Sequence, residues 1–204
     1  MPRTEGEKSM PQRDLFEAHF EPYEYRVDHT VDCRRYQIEY GSLVTPAGET
    51  PYTIARMRSF VCVLAVVPGT DGDEPRVALV LQYRYAPDCW QLELPAGGIE
   101  AGETPLEAAE RELREECGLV PDEVVDLGVV WPSAGSLDEG AYLVAMRCKA
   151  ERLPLELDPG EQLEVLFATR SELEEVLANG RFGQAAGYVA WMRAQARGLT
   201  DAWL

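Results

Sequence analysis

The segment Gly97–Leu119, GGIEAGETPLEAAERELREECGL, constrains this chain more than any other stretch. It carries the signals for both ends of a helix. Thr104 is a natural N-cap, Pro105 suits the first helical position, and Glu107 completes a T-x-x-E capping box. Gly118 can close the helix in the left-handed conformation. Leu106, Ala109, Leu113 and Cys117 recur at helical spacing and are expected to form the buried stripe. Glu112, Glu115 and Glu116 stand at i, i+3 and i+4, which sets three carboxylates together on a different arc.

Like charges at this spacing repel, at roughly 0.2–0.5 kcal/mol per pair in an isolated helix. Two arrangements accommodate the cluster. It can be a solvated acidic face, with Arg111 reaching to Glu115 or back to Glu103. It can instead surround a hard divalent cation, because all-oxygen ligation suits Mg²⁺ or Mn²⁺.

The loop before the helix bears on that choice. Gly97, Glu103, Arg111, Glu112, Leu113, Glu115, Glu116, Gly118 and Leu119 fill every fixed position of the pattern G-x5-E-x7-R-E-U-x-E-E-x-G-U, in which U is bulky and apolar. The segment therefore resembles the Nudix box. The resemblance implies an α/β (α+β) Nudix fold, a mixed β-sheet between helices. It also implies Mg²⁺-assisted hydrolysis of a nucleoside diphosphate linked to another group.

The flanks narrow the resemblance. Gln82-Tyr83-Arg84, Glu93-Leu94-Pro95-Ala96-Gly97, Ser133-Ala134-Gly135 with Glu139, and Glu161 to Val165 are similar to motifs of the ADP-ribose pyrophosphatase branch. The motifs and the box span residues 58–165. One position departs: the branch's marker proline would fall at 134, where this chain has Ala134, with Pro132 two residues earlier. ADP-ribose is thus the first expectation as substrate, with other nucleoside diphosphate sugars, dinucleoside polyphosphates and NADH as alternatives.

The resemblance also suggests roles. Glu112, Glu115, Glu116 and the Ala96 carbonyl would hold the metal ions. Glu161 would complete the metal site or position the attacking water, with Glu164 as the neighbour to test. Arg84 is expected to contact a phosphate or the terminal sugar, and Glu139 the sugar hydroxyls. Arg58 is a weaker phosphate candidate, and Tyr36 is either a base-stacking ring or a packing residue. Glu103 and Arg111 read as a structural ion pair that orients the catalytic glutamates. Members of the branch are commonly homodimers that exchange an N-terminal unit.

Charge and cysteine usage agree with such a chain. Of 204 residues, 46% are hydrophobic, enough for a sizeable core, and the formal net charge is −17. That charge argues against nonspecific binding to nucleic acid or to an anionic membrane. An anionic substrate must then meet a local cationic spot. No apolar run approaches the ~20 residues of a membrane span, and the polar start shows no signal-peptide pattern. Five scattered cysteines without C-x-x-C spacing fit reduced thiols in a cytoplasm.

The remaining chain divides at residue 57. Residues 1–14 read as a loosely held start, and 15–31 show no clear period. Residues 33–44 and 51–57 read as a strand–turn–strand unit across TPAGET, a small antiparallel element and the expected dimerisation element. In the hydrolase domain, 58–204, strands are expected at 59–67, 76–85, 90–94, 124–131, 141–147 and 163–169. In the second of these, Leu81 and Tyr83 are expected inward and Gln82 and Arg84 outward. A helix over 171–179 is expected to be capped by Ser171 with Glu174, and a last helix over 184–197 to pack through Tyr188, Trp191 and Met192.

Overall fold

The computed structural model describes residues 21–70 and 72–204. The start expected to be loose, residues 1–14, lies outside the described residues. Three strands, β1 (Glu24–Cys33), β2 (Tyr36–Thr45) and β3 (Gly48–Met57), form an antiparallel sheet in sequence order. The larger sheet contains β4 (Phe60–Val67), β5 (Arg76–Arg84), β6 (Cys89–Glu93), β7 (Ala96–Gly98), β8 (Pro121–Val130), β9 (Ala141–Cys148) and β10 (Leu163–Ala168). Its order is β10-β5-β4-β9-β8, with β6 on β5 and β7 on β4. The β4–β9 pair is parallel and the others are antiparallel, so the sheet is mixed.

Both faces of this sheet are covered. On one face Val61, Val63, Ala78, Val80 and Met146 pack against Ala108, Ala109, Leu113 and Cys117 of α1 (Pro105–Cys117). On the other, Leu64, Val66, Leu79 and Leu143 pack against Ala186, Ala190, Trp191 and Ala194 of α3 (Ala185–Ala196). The continuous apolar run of β4 follows from burial on both sides. Each large aliphatic side chain so buried contributes roughly 1.5–3 kcal/mol. Two further helices, α2 (Arg170–Ala178) and α4 (Leu199–Trp203), complete the second layer. No helix among the described residues is long and apolar enough to cross a membrane.

One feature of the pairing positions the site. Strands β4 and β5 pair only at Val66–Val77 and Val67–Arg76, then splay. The Cys89–Gly98 segment fills the fork, first as β6 on β5 and then as β7 on β4. The turn Leu94-Pro95-Ala96 is thereby pinned beneath α1, with Val63 N donating to Pro95 O at 2.9 Å.

Several local expectations are corrected. Residues 24–33 form a full strand, so the N-terminal unit has three strands rather than two. A register shift between Val27 and His29 switches which residues face which side, which hides its period. Cys33 ends β1, and the turn to Tyr36 has Arg34 at φ +57°. Leu106 is 42% exposed; Ala108 takes its place in the buried stripe. The second helix is capped by Thr169 with Glu172, not by Ser171 with Glu174. Glu174 instead pairs with Arg170 at 3.1 Å. In α3 Ala186, Ala190, Ala194 and Trp191 are buried, whereas Tyr188 and Met192 are exposed. Strand β8 starts three residues early, at Pro121, and a short α4 follows Gly198.

Candidate active site

The capping box of α1 forms in full, and Gly118 ends the helix at φ +65°. A Cβ at Gly118 would stand 2.1 Å from Leu153 O, so glycine is required there twice over. This well-terminated helix sets Glu116 and Glu112 against the turn at Ala96 and Gly97, with Glu115 held by Arg111. Ala96 N donates to Glu116 Oε2 at 3.0 Å. Gly97 lies so close that a Cβ built on it would fall 2.0 Å from the Glu112 carboxyl carbon. The missing side chain makes the space in which that carboxylate sits.

Glu116 is only 4% exposed. Burial is the main force that pushes its carboxyl up to about 8; Glu112 and Glu161 push the same way, while the Ala96 N–H and Arg84 oppose. Glu112 is also raised, first by burial, with Arg111 opposing and Glu115 and Glu161 adding to the shift. Arg111 holds the outer side of the cluster. Its Nε and Nη2 take both oxygens of Glu103 at 2.7 and 3.0 Å, and Nη2 also reaches Gly98 O at 2.9 Å. Nη1 donates to Glu112 at 2.8 Å and Glu115 at 3.0 Å. The bond from Arg111, helped by the backbone N–H of Glu100, holds the Glu103 carboxyl down at about 2.

The charges of Arg84 and Glu161 both act on Glu116, in opposite senses. Glu161 lies in the exposed turn before β10, accepting from Asp158 N at 3.0 Å. Glu164 stands opposite Leu81 in the β10–β5 pair, one residue out of step with Leu163 and Val165, which pack on the α1 side. Strand alternation thus turns Glu164 to the face away from α1. Arg84 is not simply outward. Its Nε and Nη2 donate to Glu93 at 2.8 and 2.6 Å, and Glu93 is 2% exposed. Tyr83, expected inward, packs edge-on against Tyr85 and exposed Trp90.

The other candidates lie apart. Arg58 is exposed, and its Cδ passes beside Gly98, 3.6 Å from where a Cβ would stand. Glu139 is half-buried before β9, its carboxyl raised by burial and by Asp138. Tyr36 opens β2 opposite Met57 and is 40% exposed. Among the described residues, no hydrogen bond or ion pair joins Glu139 or Tyr36 to the acidic cluster. The loop carrying Ala134 docks on the N-terminal sheet instead: Tyr52 OH donates to Gly135 O at 2.8 Å and Ala55 N to Ser136 O at 2.9 Å. A cavity of about 330 Å³ lies there, lined by Tyr52, Arg56, Trp131, Ala134 and Leu137 among others.

Sequence reasoning missed the part played by Glu93, which it saw only as a motif member. Its signal is a carboxylate on β6, opposite Val80, on the same face of the β5–β6 hairpin as Arg84. It also missed Gln184, whose side-chain amide accepts from Leu94 N at 3.2 Å and donates to Leu94 O at 3.3 Å, two residues before Ala96.

The donor set suits a hard divalent cation. It is all carboxylate, it is partly buried, and its deepest member resists ionising without a positive partner. As they stand, no three acidic, thiol or imidazole groups among the described residues enclose an ion. Arg111 supplies positive charge to Glu112 and Glu115; among the described residues Glu116 makes no ion pair, accepting a hydrogen bond from Ala96 N with Arg84 acting on it at longer range.

Comparison with known proteins places the chain. Over 118 residues it is 34% identical to an ADP-ribose pyrophosphatase of Bacillus subtilis (strain 168), covering 57% of this chain and 60% of that protein. Over 68 residues it is 46% identical to an RNA pyrophosphohydrolase of Halorhodospira halophila (strain DSM 244 / SL1), covering 29% of this chain and 36% of that one. The chain therefore spans about a third to three fifths of the length of these curated relatives. A crystal structure of an ADP compounds hydrolase superposes with a TM-score of 0.71 over 91% of this chain and 100% of the other, at 19% identity, and so shares the fold. The family model of the NUDIX domain matches residues 58–192, the region that holds the fork, the capped helix and its glutamates, and the chain belongs to the Nudix family.

Proposed function

We propose that this protein hydrolyses the diphosphate bond of a nucleoside diphosphate sugar, with ADP-ribose, cleaved to AMP and ribose 5-phosphate, as the first substrate. The observation that carries the reading is the buried Glu116, fixed by Ala96 N–H and crowded by Glu112 and Glu161. Such a group is poised to take a cation and is poorly explained as a solvated helix face. Glu112, Glu115, Glu116 and Glu161, with the Ala96 carbonyl, would hold Mg²⁺ or Mn²⁺. The bound ion supplies charge neutralisation for the diphosphate and acidifies a water.

The chain's own groups do the rest. Arg84 offers a fixed guanidinium to a phosphate or sugar, and Arg58 a second positive charge at the rim by Gly98. Glu161, exposed and bearing electrostatically on Glu112 and Glu116, would orient the attacking water or complete the ion's ligands. Arg111 and Glu103 keep Glu112 and Glu115 aimed. Glu139 and Tyr36 contact the sugar and base. The N-terminal unit, residues 1–57, pairs two chains into a homodimer. The similarity to an ADP-ribose pyrophosphatase supports the substrate. The similarity to an RNA pyrophosphohydrolase and the alanine at 134 favour a second reading, another nucleoside diphosphate derivative at the same centre.

A substrate panel separates the two. ADP-ribose, UDP-glucose, GDP-mannose, NADH and diadenosine polyphosphates are assayed with Mg²⁺. Preference for ADP-ribose in kcat/KM supports the first reading; preference for any other compound moves the substrate and retains the centre.

A further inference from the structure

Arg84 poses a problem that the acidic site itself creates. A guanidinium free to move on the strand face that leads to Glu93 and Ala96 would be drawn toward the carboxylates of α1, because opposite charges attract strongly in a partly buried setting. It would then neutralise the groups that a cation needs and present nothing to a substrate. The structure shows a different partner. Glu93, on β6, is 2% exposed and takes Nε and Nη2 of Arg84 in a two-pronged pair at 2.8 and 2.6 Å. Gln82, two residues before Arg84 on the same strand face, donates to Glu93 Oε2 at 3.4 Å. Among the described residues, Arg84 Nη1 makes no hydrogen bond, and the Arg84 side chain remains 42% exposed.

We infer that Glu93 is a positioning residue, which fixes the Arg84 guanidinium in one orientation, off the carboxylate cluster, with its remaining N–H groups offered to a substrate phosphate. The fork in the sheet makes this possible. Because β4 and β5 splay, β6 can lie beside β5 and set Glu93 opposite Val80, on the face of β5 that carries Gln82 and Arg84 and within reach of the Arg84 side chain. A planar fork held at two nitrogens is preorganised in a way that a single contact is not. Glu93 itself touches no substrate; it acts through Arg84. This inference rests on the proposed hydrolysis for its substrate but not for its geometry.

The test is a double-substitution cycle with Glu93→Gln, Arg84→Gln and both together, on the full chain with Mg²⁺. Three quantities are read: KM and kcat for the panel compound that the wild type prefers, the Kd for ADP by calorimetry, and the thermal midpoint. Glu93→Gln should raise KM and the ADP Kd about tenfold, with kcat within about threefold, since only an orienting contact is lost. The double variant should match Arg84→Gln alone. Glu93→Asp should leave the gap unbridged and resemble Glu93→Gln. Two results overturn the inference: an unchanged ADP Kd in a folded Glu93→Gln protein, or effects of the two substitutions that simply add. A drop in thermal midpoint with KM and Kd unmoved assigns the pair to strand pairing alone and also overturns it. If the wild type turns over no compound, the hydrolysis reading fails, and the cycle is decided on the ADP Kd. A wild type that does not bind ADP overturns the inference as well.

Discussion

Glu116 faces opposing demands: it is buried like a core residue, yet its proposed task needs it charged. Its pKa in the fold, about 8, lies above the ordinary 4.5. Below pH 4.5 the group is protonated folded or unfolded and costs nothing. As pH rises from 4.5 toward 8, the unfolded chain ionises first, so stability falls through that window. In EDTA, Glu116→Gln should therefore be more stable than the wild type at pH 8, by on the order of 1–3 kcal/mol, with the two denaturation curves converging near pH 4. Parallel curves across that range would contradict the assignment. Gly97→Ala tests the neighbouring carboxylate. A Cβ 2.0 Å from the Glu112 carboxyl carbon must displace it, and a misplacement of that size should lower kcat by about 100-fold while the fold survives. A spacing of i, i+3, i+4 made the three glutamates legible, because a helix repeats locally. Glu93 and Gln184 were not legible as supports: one needs the β5–β6 register, and the other acts on Leu94, 90 residues away.

At the level of elements, helix ends decide where side chains point. The α1 box was readable because Thr104, Pro105, Glu107 and Gly118 all agree. The α2 box was misread by two residues because Thr169–Glu172 and Ser171–Glu174 have the same spacing, and only backbone geometry separates them. Thr169→Ala should cost about 1 kcal/mol in chemical denaturation, and Ser171→Ala less than about 0.5 kcal/mol. The reverse order would restore the Ser171 cap. Strand β1 escaped notice because its register shift breaks the two-residue period. The buried strands β4 and β5 were plain from their apolar runs. Their divergence, which creates the fork and hence the site, leaves no local trace in either strand.

For the whole molecule, the N-terminal sheet and the net charge matter most. Val31, Tyr36 and Tyr40 share one face of that sheet and are each at least 40% exposed, an apolar surface that suits a partner of the same kind. Light scattering should give twice the 22.8 kDa of one chain, and a single-chain mass at micromolar concentration would contradict the dimer. A formal charge of −17 repels a diphosphate, so raising ionic strength moderately should lower KM where long-range repulsion dominates over Arg84 and Arg58. The proposal that matters most is that the carboxylates of this helix would hold a divalent cation and support hydrolysis of a nucleotide diphosphate. Its most direct test is release of AMP from ADP-ribose, followed chromatographically, by wild type and Glu116→Gln with Mg²⁺ and with EDTA. The account predicts turnover by the wild type with Mg²⁺ alone, and none in EDTA or in the variant. Undiminished AMP release in EDTA or by Glu116→Gln would contradict it.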